Sequence, residues 1–231
     1  MREPCDILVV SPHPDDAEYG IAGTAVRWVK EGKRIVYVVC TTGDKGASNR
    51  HTKAADLVRM RRQEQLAAAD LLGVSEVVFL GLPDQGLEDG HDFREKIVCQ
   101  IRTFRPTTVV TADPYRRYVW HRDHRITGQV TLDAAFPYAR DHLAYPHLLA
   151  EGLEPHKVRE MLFWGAEEVN LRLDVTDTFE VKLAALRCHK SQIEPLDSPE
   201  WEAWLRQRYR DNAAGQDFEY AEAFHRVELP G

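Results

Sequence analysis

Two short stretches of this sequence concentrate side chains that can hold a metal ion and move protons. The first is Ser11-Pro12-His13-Pro14-Asp15-Asp16, an imidazole and two carboxylates almost side by side. Pro14 fixes one backbone torsion and favours an extended His13, so the turn is stiff, as ligands that place an ion to fractions of an ångström require. A helix start would explain one of the aspartates, because an N-cap carboxylate satisfies free amides and suits the helix dipole. It does not explain His13 and a second carboxylate together. The second stretch is Trp120-His121-Arg122-Asp123-His124-Arg125, whose histidines, three apart at a helix start, can face one side. A chain with 10 histidines produces such pairs by accident, so this one draws its weight from the first cluster.

Together the stretches offer His13, Asp15, Asp16, His121 and His124. Catalytic zinc takes three nitrogen or oxygen ligands and keeps a position open for water. Three ligands with a carboxylate and an imidazole to spare suit hydrolysis. The ion polarises a carbonyl and acidifies water, the spare carboxylate takes the proton, and the spare histidine serves the oxyanion or the leaving group. Which aspartate binds the ion stays open at this level.

The elements that must position these groups alternate in period. Asp6 to Val10, Ile35 to Val39, Glu76 to Leu80 and Thr107 to Thr111 are short apolar runs, as expected of strands buried on both faces. Between them, helical stripes are predicted after residue 16 (Ile21, Ala25, Trp28, Val29, closed by Gly32), over 53–72 and over 92–104. Such alternation predicts an α/β, Rossmann-like three-layer fold with a mostly parallel sheet and helices on both faces. Ligands of such sheets bind beyond the carboxyl ends of the strands. The clusters at 11–16, 41–46 and 112–124 follow the first, second and fourth strands, so they should meet on one rim. Beyond it, helices are predicted over 124–136, Val181 to His189 and from Pro199, with Ser198 as N-cap, and a strand over Met161 to Trp164. No repeat or linker divides the chain; residues 1–231 are read as one domain in which about 138–231 contributes pocket walls or subunit contacts.

Composition narrows the partners. Of 231 residues, 43% are hydrophobic and 29% charged, which suits a packed globular protein. With 37 acidic against 30 basic side chains the net charge is −7, which disfavours nucleic acid and anionic membranes. No apolar run approaches the ~20 residues of a membrane span, and the polar N-terminus does not read as a signal peptide. Cys5, Cys40, Cys99 and Cys188 are scattered, as small buried hydrophobes in a reducing compartment would be, so a cytoplasmic setting is expected.

His13-Pro14-Asp15-Asp16 with Gly20 following, joined to His121-x-Asp123-His124, resembles the PIG-L/LmbE-like family of zinc-dependent N-acetylglucosamine deacetylases. Thr42-Gly43-Asp44-Lys45-Gly46, Arg61-Arg62-Gln63-Glu64 with Ala67-Ala68 and Leu72-Gly73, the run Lys182 to Gln192, and Tyr220 to Phe224 are similar to further family elements in the same order. The resemblance implies His13, Asp16 and His124 as ligands of Zn2+, with Fe2+, Mn2+ or Co2+ as alternatives. It implies Asp15 as general base, His121 as oxyanion stabiliser or acid, Asp123 as the group orienting the His121 imidazole, and Arg61 as a contact to substrate or released acetate. Pro12 and Arg122 depart from the family pattern; neither removes a catalytic group, and Arg122 puts a cation near the mouth of the site.

The remaining features read more plainly. His142, His147 and His156 are expected to be loop histidines, Asp113 to serve a turn, and His189 to suit a helix C-terminus. Trp201, Trp204 and Leu205 share a helix face that reads as core or subunit packing, and the aromatics support a homo-oligomer. The function expected is removal of the N-acetyl group from an N-acetylglucosamine-containing small molecule. Alternatives are hydrolysis of another amide or ester on the same centre and a non-catalytic, metal-stabilised sugar-binding protein. A dinucleotide-dependent oxidoreductase is disfavoured by the missing G-x-G-x-x-G after the first strand.

Overall fold

The computed structural model describes residues 2–193 and 197–231. Every residue of β1 (Ile7–Ser11) and β2 (Ile35–Thr41) is buried, because helices cover both sides of the sheet. The two-residue period of a strand divides their side chains between two cores. Ile7, Val9, Ile35 and Tyr37 pack with apolar residues of α1 (Asp16–Lys30), α2 (Ala54–Leu72) and α6 (Phe179–Cys188). Leu8, Val10, Val36 and Val38 pack on the other face with those of α3 (His91–Phe104) and α4 (Arg122–Ala135). This is the three-layer arrangement that the periodicity predicts.

β3 (Glu76–Leu82), β4 (Thr108–Ala112) and β5 (Glu160–Trp164) complete a parallel set with β1 and β2. β6 (Leu171–Asp174) and β7 (Ala221–Glu228) extend the sheet antiparallel, in the order β3-β2-β1-β4-β5-β7-β6. These last two strands go beyond the sequence expectation. β6 is only four residues long, and β7 becomes half exposed toward its end, so neither carries the apolar run that marks a buried strand. The short helices α5 (His147–Ala150) and α7 (Lys190–Ile193) complete the connections, and α8 (Pro199–Asn212) begins as predicted, the Ser198 hydroxyl accepting from the Trp201 amide at 3.2 Å.

From β1 the chain steps outward to β2 and β3, then returns to place β4 on the other flank of β1. The carboxyl ends of β1 and β4 therefore flank the switch point where this class of sheet leaves a crevice. Both histidine clusters open from these ends.

A buried ion pair joins the C-terminal elements to α1. Lys182 Nζ lies 2.7 Å from Glu222 Oε1 and donates to the Glu18 and Tyr19 carbonyls at 2.8 Å each. Glu222 also accepts from the Gly23 and Thr24 amides at 3.0 and 2.7 Å. Removing one partner of such a pair strands the other charge away from water, at a cost of about 3–5 kcal/mol. Lys182→Met is expected to lose that much unfolding free energy in a denaturant titration; an unchanged midpoint would show the pair to be dispensable.

Candidate active site

β1 ends at Ser11, whose hydroxyl donates to the His13 carbonyl at 2.8 Å and tightens the turn. His13 is buried among three carboxylates. Its Nδ1 lies 2.9 Å from Asp16 Oδ2, and its Nε2 lies 3.0 Å from Asp84 Oδ1 and 3.3 Å from Asp123 Oδ2. Burial alone would favour the neutral ring, yet hydrogen bonds to Asp123, Asp16 and Asp84 overcome it and hold the imidazole up at about 12. The site thus demands positive charge at its centre.

The second stretch meets the first, as the strand order requires. His124 Nε2 lies 3.1 Å from Asp16 Oδ1, and His13, His121 and His124 each turn a ring nitrogen to within 4.8 Å of the others. His13, Asp84 and Asp123 form an overlapping trio within the same limit. His124 Nδ1 is buried and has no hydrogen-bond partner among the described residues. A cluster of nitrogen and carboxylate donors with an orphaned imidazole nitrogen fits a divalent ion of zinc type.

The two neighbouring aspartates differ in environment. Asp15 holds the N-cap position of α1 at φ 96°, but its carboxylate makes no capping bond. The simple helix-start explanation is therefore not realised. Burial pushes the Asp15 carboxyl up to about 6, with Arg61 pulling it back and Asp16 adding to the rise. Burial acts on Asp16 in the same direction, but His124 and then His13 hold it well below the usual carboxylate range. Two adjacent acids are thus split into a permanently ionised group and a base poised near neutrality.

His121 caps α4. Its Nδ1 accepts the Asp123 amide at 3.1 Å, so the ring proton sits on Nε2. Burial, then His13 and His124, lower its pKa and keep the ring neutral. The contact by which Asp123 is expected to orient His121 is made by the Asp123 backbone amide. The fully buried Asp123 carboxylate accepts from the Gln85 amide at 2.7 Å and faces His13. A helix N-terminus turns its amide toward the cap residue, which leaves the side chain free to point inward.

Arg61, expected at the substrate, lies beneath the turn and is 5% exposed. Its Nη2 donates to the Pro14 carbonyl at 2.7 Å and to Asp15 Oδ2 at 3.3 Å, and its Nη1 to the Gly43 and Lys45 carbonyls at 3.3 and 3.4 Å. Gly43 has φ +62°, and a Cβ there would lie 2.8 Å from Arg61 Nη1, so any other residue would strain the loop and displace the guanidinium.

Asp84 is a site residue that the sequence reading missed. It stands just past β3, where the strand-end rule applied to the other strands also points. Asp44 Oδ1 holds its amide at 3.0 Å, which gives the 41–46 cluster its role. Elsewhere, Asp113 serves a turn as expected, its carboxylate accepting from the Tyr115 amide at 2.9 Å. His147 bonds Glu95 and His156 the Pro106 carbonyl, away from the site. His189 caps the C-terminus of α6 as expected, and it is also fully buried against Glu18. Leu205 joins the core, but Trp201 and Trp204 do not simply pack: with Trp120 and Trp164 they line a cavity of about 570 Å³ that reaches Asp16 and His124.

A match to the family described as PIG-L, GlcNAc-PI de-N-acetylase, spans residues 8–135, more than half of the chain and both histidine clusters. The chain belongs to the PIG-L family. Among relatives of this PIG-L chain, a diacetylchitobiose deacetylase from Thermococcus kodakarensis is 34% identical over 87% of this chain and 74% of that protein. A 1D-myo-inositol 2-acetamido-2-deoxy-alpha-D-glucopyranoside deacetylase from Mycobacteroides abscessus is 28% identical over 83% of this chain and 82% of that protein. Among solved structures, N,N'-diacetylchitobiose deacetylase from Pyrococcus horikoshii, complexed with its inhibitor MPG, superposes with a TM-score of 0.92 at 28% identity. That alignment covers 96% of this chain and 83% of the other. The likeness therefore extends past residue 135 into the elements that complete this PIG-L sheet.

Proposed function

We propose that this protein is a metal-dependent N-deacetylase that hydrolyses the acetamide of an N-acetylglucosamine-containing small molecule to the free amine and acetate. The observation that carries the reading is one cluster with more imidazole and carboxylate donors than an ion needs. In this reading Asp15 and His121 are the carboxylate and the imidazole left for the proton and the oxyanion. His13, Asp16 and His124 would hold the metal, zinc being the choice that nitrogen and oxygen donors favour. When bound, such an ion supplies Lewis acidity to the acetamide carbonyl and the attacking water.

Asp15, raised by burial to about 6, takes the proton of the attacking water. His121 presents its Nε2 proton to the oxygen that gains charge, because the Asp123 amide occupies Nδ1. Asp123 fixes that tautomer through its backbone. The sugar occupies the cavity walled by Trp120, Trp164, Trp201 and Trp204, so the segment after residue 138 completes the pocket of a single domain. Tyr115, Tyr118 and Val119 are exposed large side chains on the segment that also carries Arg116 and Arg117, which supports the self-association included in the proposal. The four free thiols support a reducing, cytoplasmic setting, and among the described residues no helix is long and apolar enough to cross a membrane.

Purified protein assayed for metal and for acetate release on a panel of N-acetylated amino sugars and simple esters tests this reading. Release is expected from the amino sugars, with His121→Ala lowering kcat roughly 10²–10³-fold at unchanged metal content. Ester cleavage without deacetylation would transfer the site to the alternative substrate class. Loss of metal from His121→Ala would make His121 a ligand.

A further inference from the structure

We propose that Arg61 and Gln65 clamp the Pro14–Asp15 peptide between them and so aim the Asp15 carboxylate, and that Glu18, backed by His189, sets which end of the Gln65 amide faces that peptide. The inference rests on the deacetylase reading only in giving Asp15 its task. Arg61 Nη2 donates to the Pro14 carbonyl at 2.7 Å, and the Asp15 amide donates to Gln65 Oε1 at 3.1 Å. These are the two ends of a single peptide unit. The two side chains lie one turn apart on α2, so both project from one helix face onto it. The peptide leads into Asp15 at φ 96°, a conformation that residues other than glycine seldom hold without outside support.

A glutamine offers an oxygen at one side and two N–H donors at the other, and only its neighbours decide which faces where. Here Gln65 Nε2 donates to Glu18 Oε1 at 2.8 Å, which turns the oxygen toward Asp15. Glu18 Oε2 in turn lies 3.1 Å from His189 Nε2. Gln65, Glu18 and His189 are all fully buried, a costly choice for side chains whose only duty is to fill space. Their chain ends on the backbone of Asp15, not on its carboxylate, so it transmits orientation and carries no proton to the reaction. These are positioning residues, drawn from three separate helical segments onto the residue that performs the proton transfer. Arg61 belongs with them: its guanidinium serves the turn from below.

The test is a reciprocal exchange of the buried amide and acid. Gln65→Glu sets a carboxylate against Glu18, and Glu18→Gln puts a donor in place of one of the two acceptor oxygens, so the Gln65 orientation is no longer imposed. In the combined variant the carboxylate at 65 accepts from both the Asp15 amide and the new amide at 18, whose oxygen takes the His189 Nε2 proton. Misplacement of a reacting group by about 1 Å can cost 10²-fold in rate. Each single variant is expected to lower kcat roughly 10–100-fold with metal content and KM little changed. The combined variant should return to within about threefold of the parent. In metal-free protein, hydrogen exchange at the Asp15 amide should quicken in each single variant and slow again in the combined one. Folded single variants with parental kcat and parental Asp15 exchange would overturn the clamp, as would a combined variant no better than the single ones. Should a single variant fail to fold, Gln65→Met replaces it, with the same fall in kcat and the same faster exchange expected. If the parent releases no acetate, the deacetylase reading fails, and the exchange experiment still judges the clamp alone.

Discussion

Asp15→Asn is expected to lower kcat for acetate release by roughly 10²–10⁴-fold, the range spanned by a positioned general base. Metal content should stay at the parental level. The substitution is well matched to the question because it changes almost nothing else. Asparagine tolerates the left-handed region as well as aspartate does, so the turn at φ 96° survives. The clamp from Arg61 and Gln65 grips the peptide, and the one bond that Arg61 makes to the side chain, to Asp15 Oδ2 at 3.3 Å, can still be accepted by the asparagine oxygen, so the backbone keeps its course. Asp15 makes no capping bond, so α1 loses no N-cap interaction. What disappears is the carboxylate that burial has tuned to about 6. Asp15→Ala is the harsher variant, since alanine lacks the polar side chain that eases this backbone conformation. Acetate release by Asp15→Asn within about threefold of the parent would move the base to another residue. Metal loss in that variant would place Asp15 among the ligands.

Much of this site can be read from residue types and strand order, and the unread part has an identifiable cause. Ile7 to Val10 and Ile35 to Val39 announce their burial by being apolar throughout, and burial on both faces requires helices on both sides. From that alternation follows the meeting of 11–16 with 112–124, because both lie at carboxyl ends of adjacent strands. The less legible features depend on which atom of a residue does the work. Asp123 is legible as a neighbour of His121, but the local sequence does not reveal that its amide, not its carboxylate, meets the ring. Arg61 stands at a position that suggests a substrate contact, while most of its hydrogen bonds within the protein go to main-chain carbonyls, which leave no mark in side-chain spacing. Gln65, Glu18 and His189 come from segments far apart in the chain, and their hydrogen bonds require the tertiary packing of α1, α2 and α6 to exist. β6 and β7 escape for another reason: partly exposed strands at one side of the sheet need less apolar sequence than central ones.

His13→Ala is expected to abolish metal binding and acetate release together, and the reason lies in the three carboxylates around it. His13 contributes a ligand when the ion is bound and, in the metal-free protein, the positive charge that Asp16, Asp84 and Asp123 share. Its removal deletes the ligand and leaves buried acids without their counter-charge. Two readouts separate these effects. In the parent, an ion that binds only the folded state, at a free concentration of 100 times its Kd, adds about 2.7 kcal/mol to the unfolding free energy. Adding zinc to chelator-treated parent should therefore raise the denaturation midpoint and restore activity. In His13→Ala the same addition should leave the midpoint where it was. The metal-free variant should also be less stable than the metal-free parent, by about 3–5 kcal/mol at neutral pH, as for other buried charges stripped of a partner. His124→Ala tests the metal term with less of the second effect, because His124 faces Asp16 alone among these acids. It should lose the zinc-induced rise in midpoint while its metal-free form stays closer to the parent. A zinc-dependent rise of parental size in both variants would show that the ion sits elsewhere, and the His13, Asp84 and Asp123 trio would then stand as a purely structural ion-pair cluster.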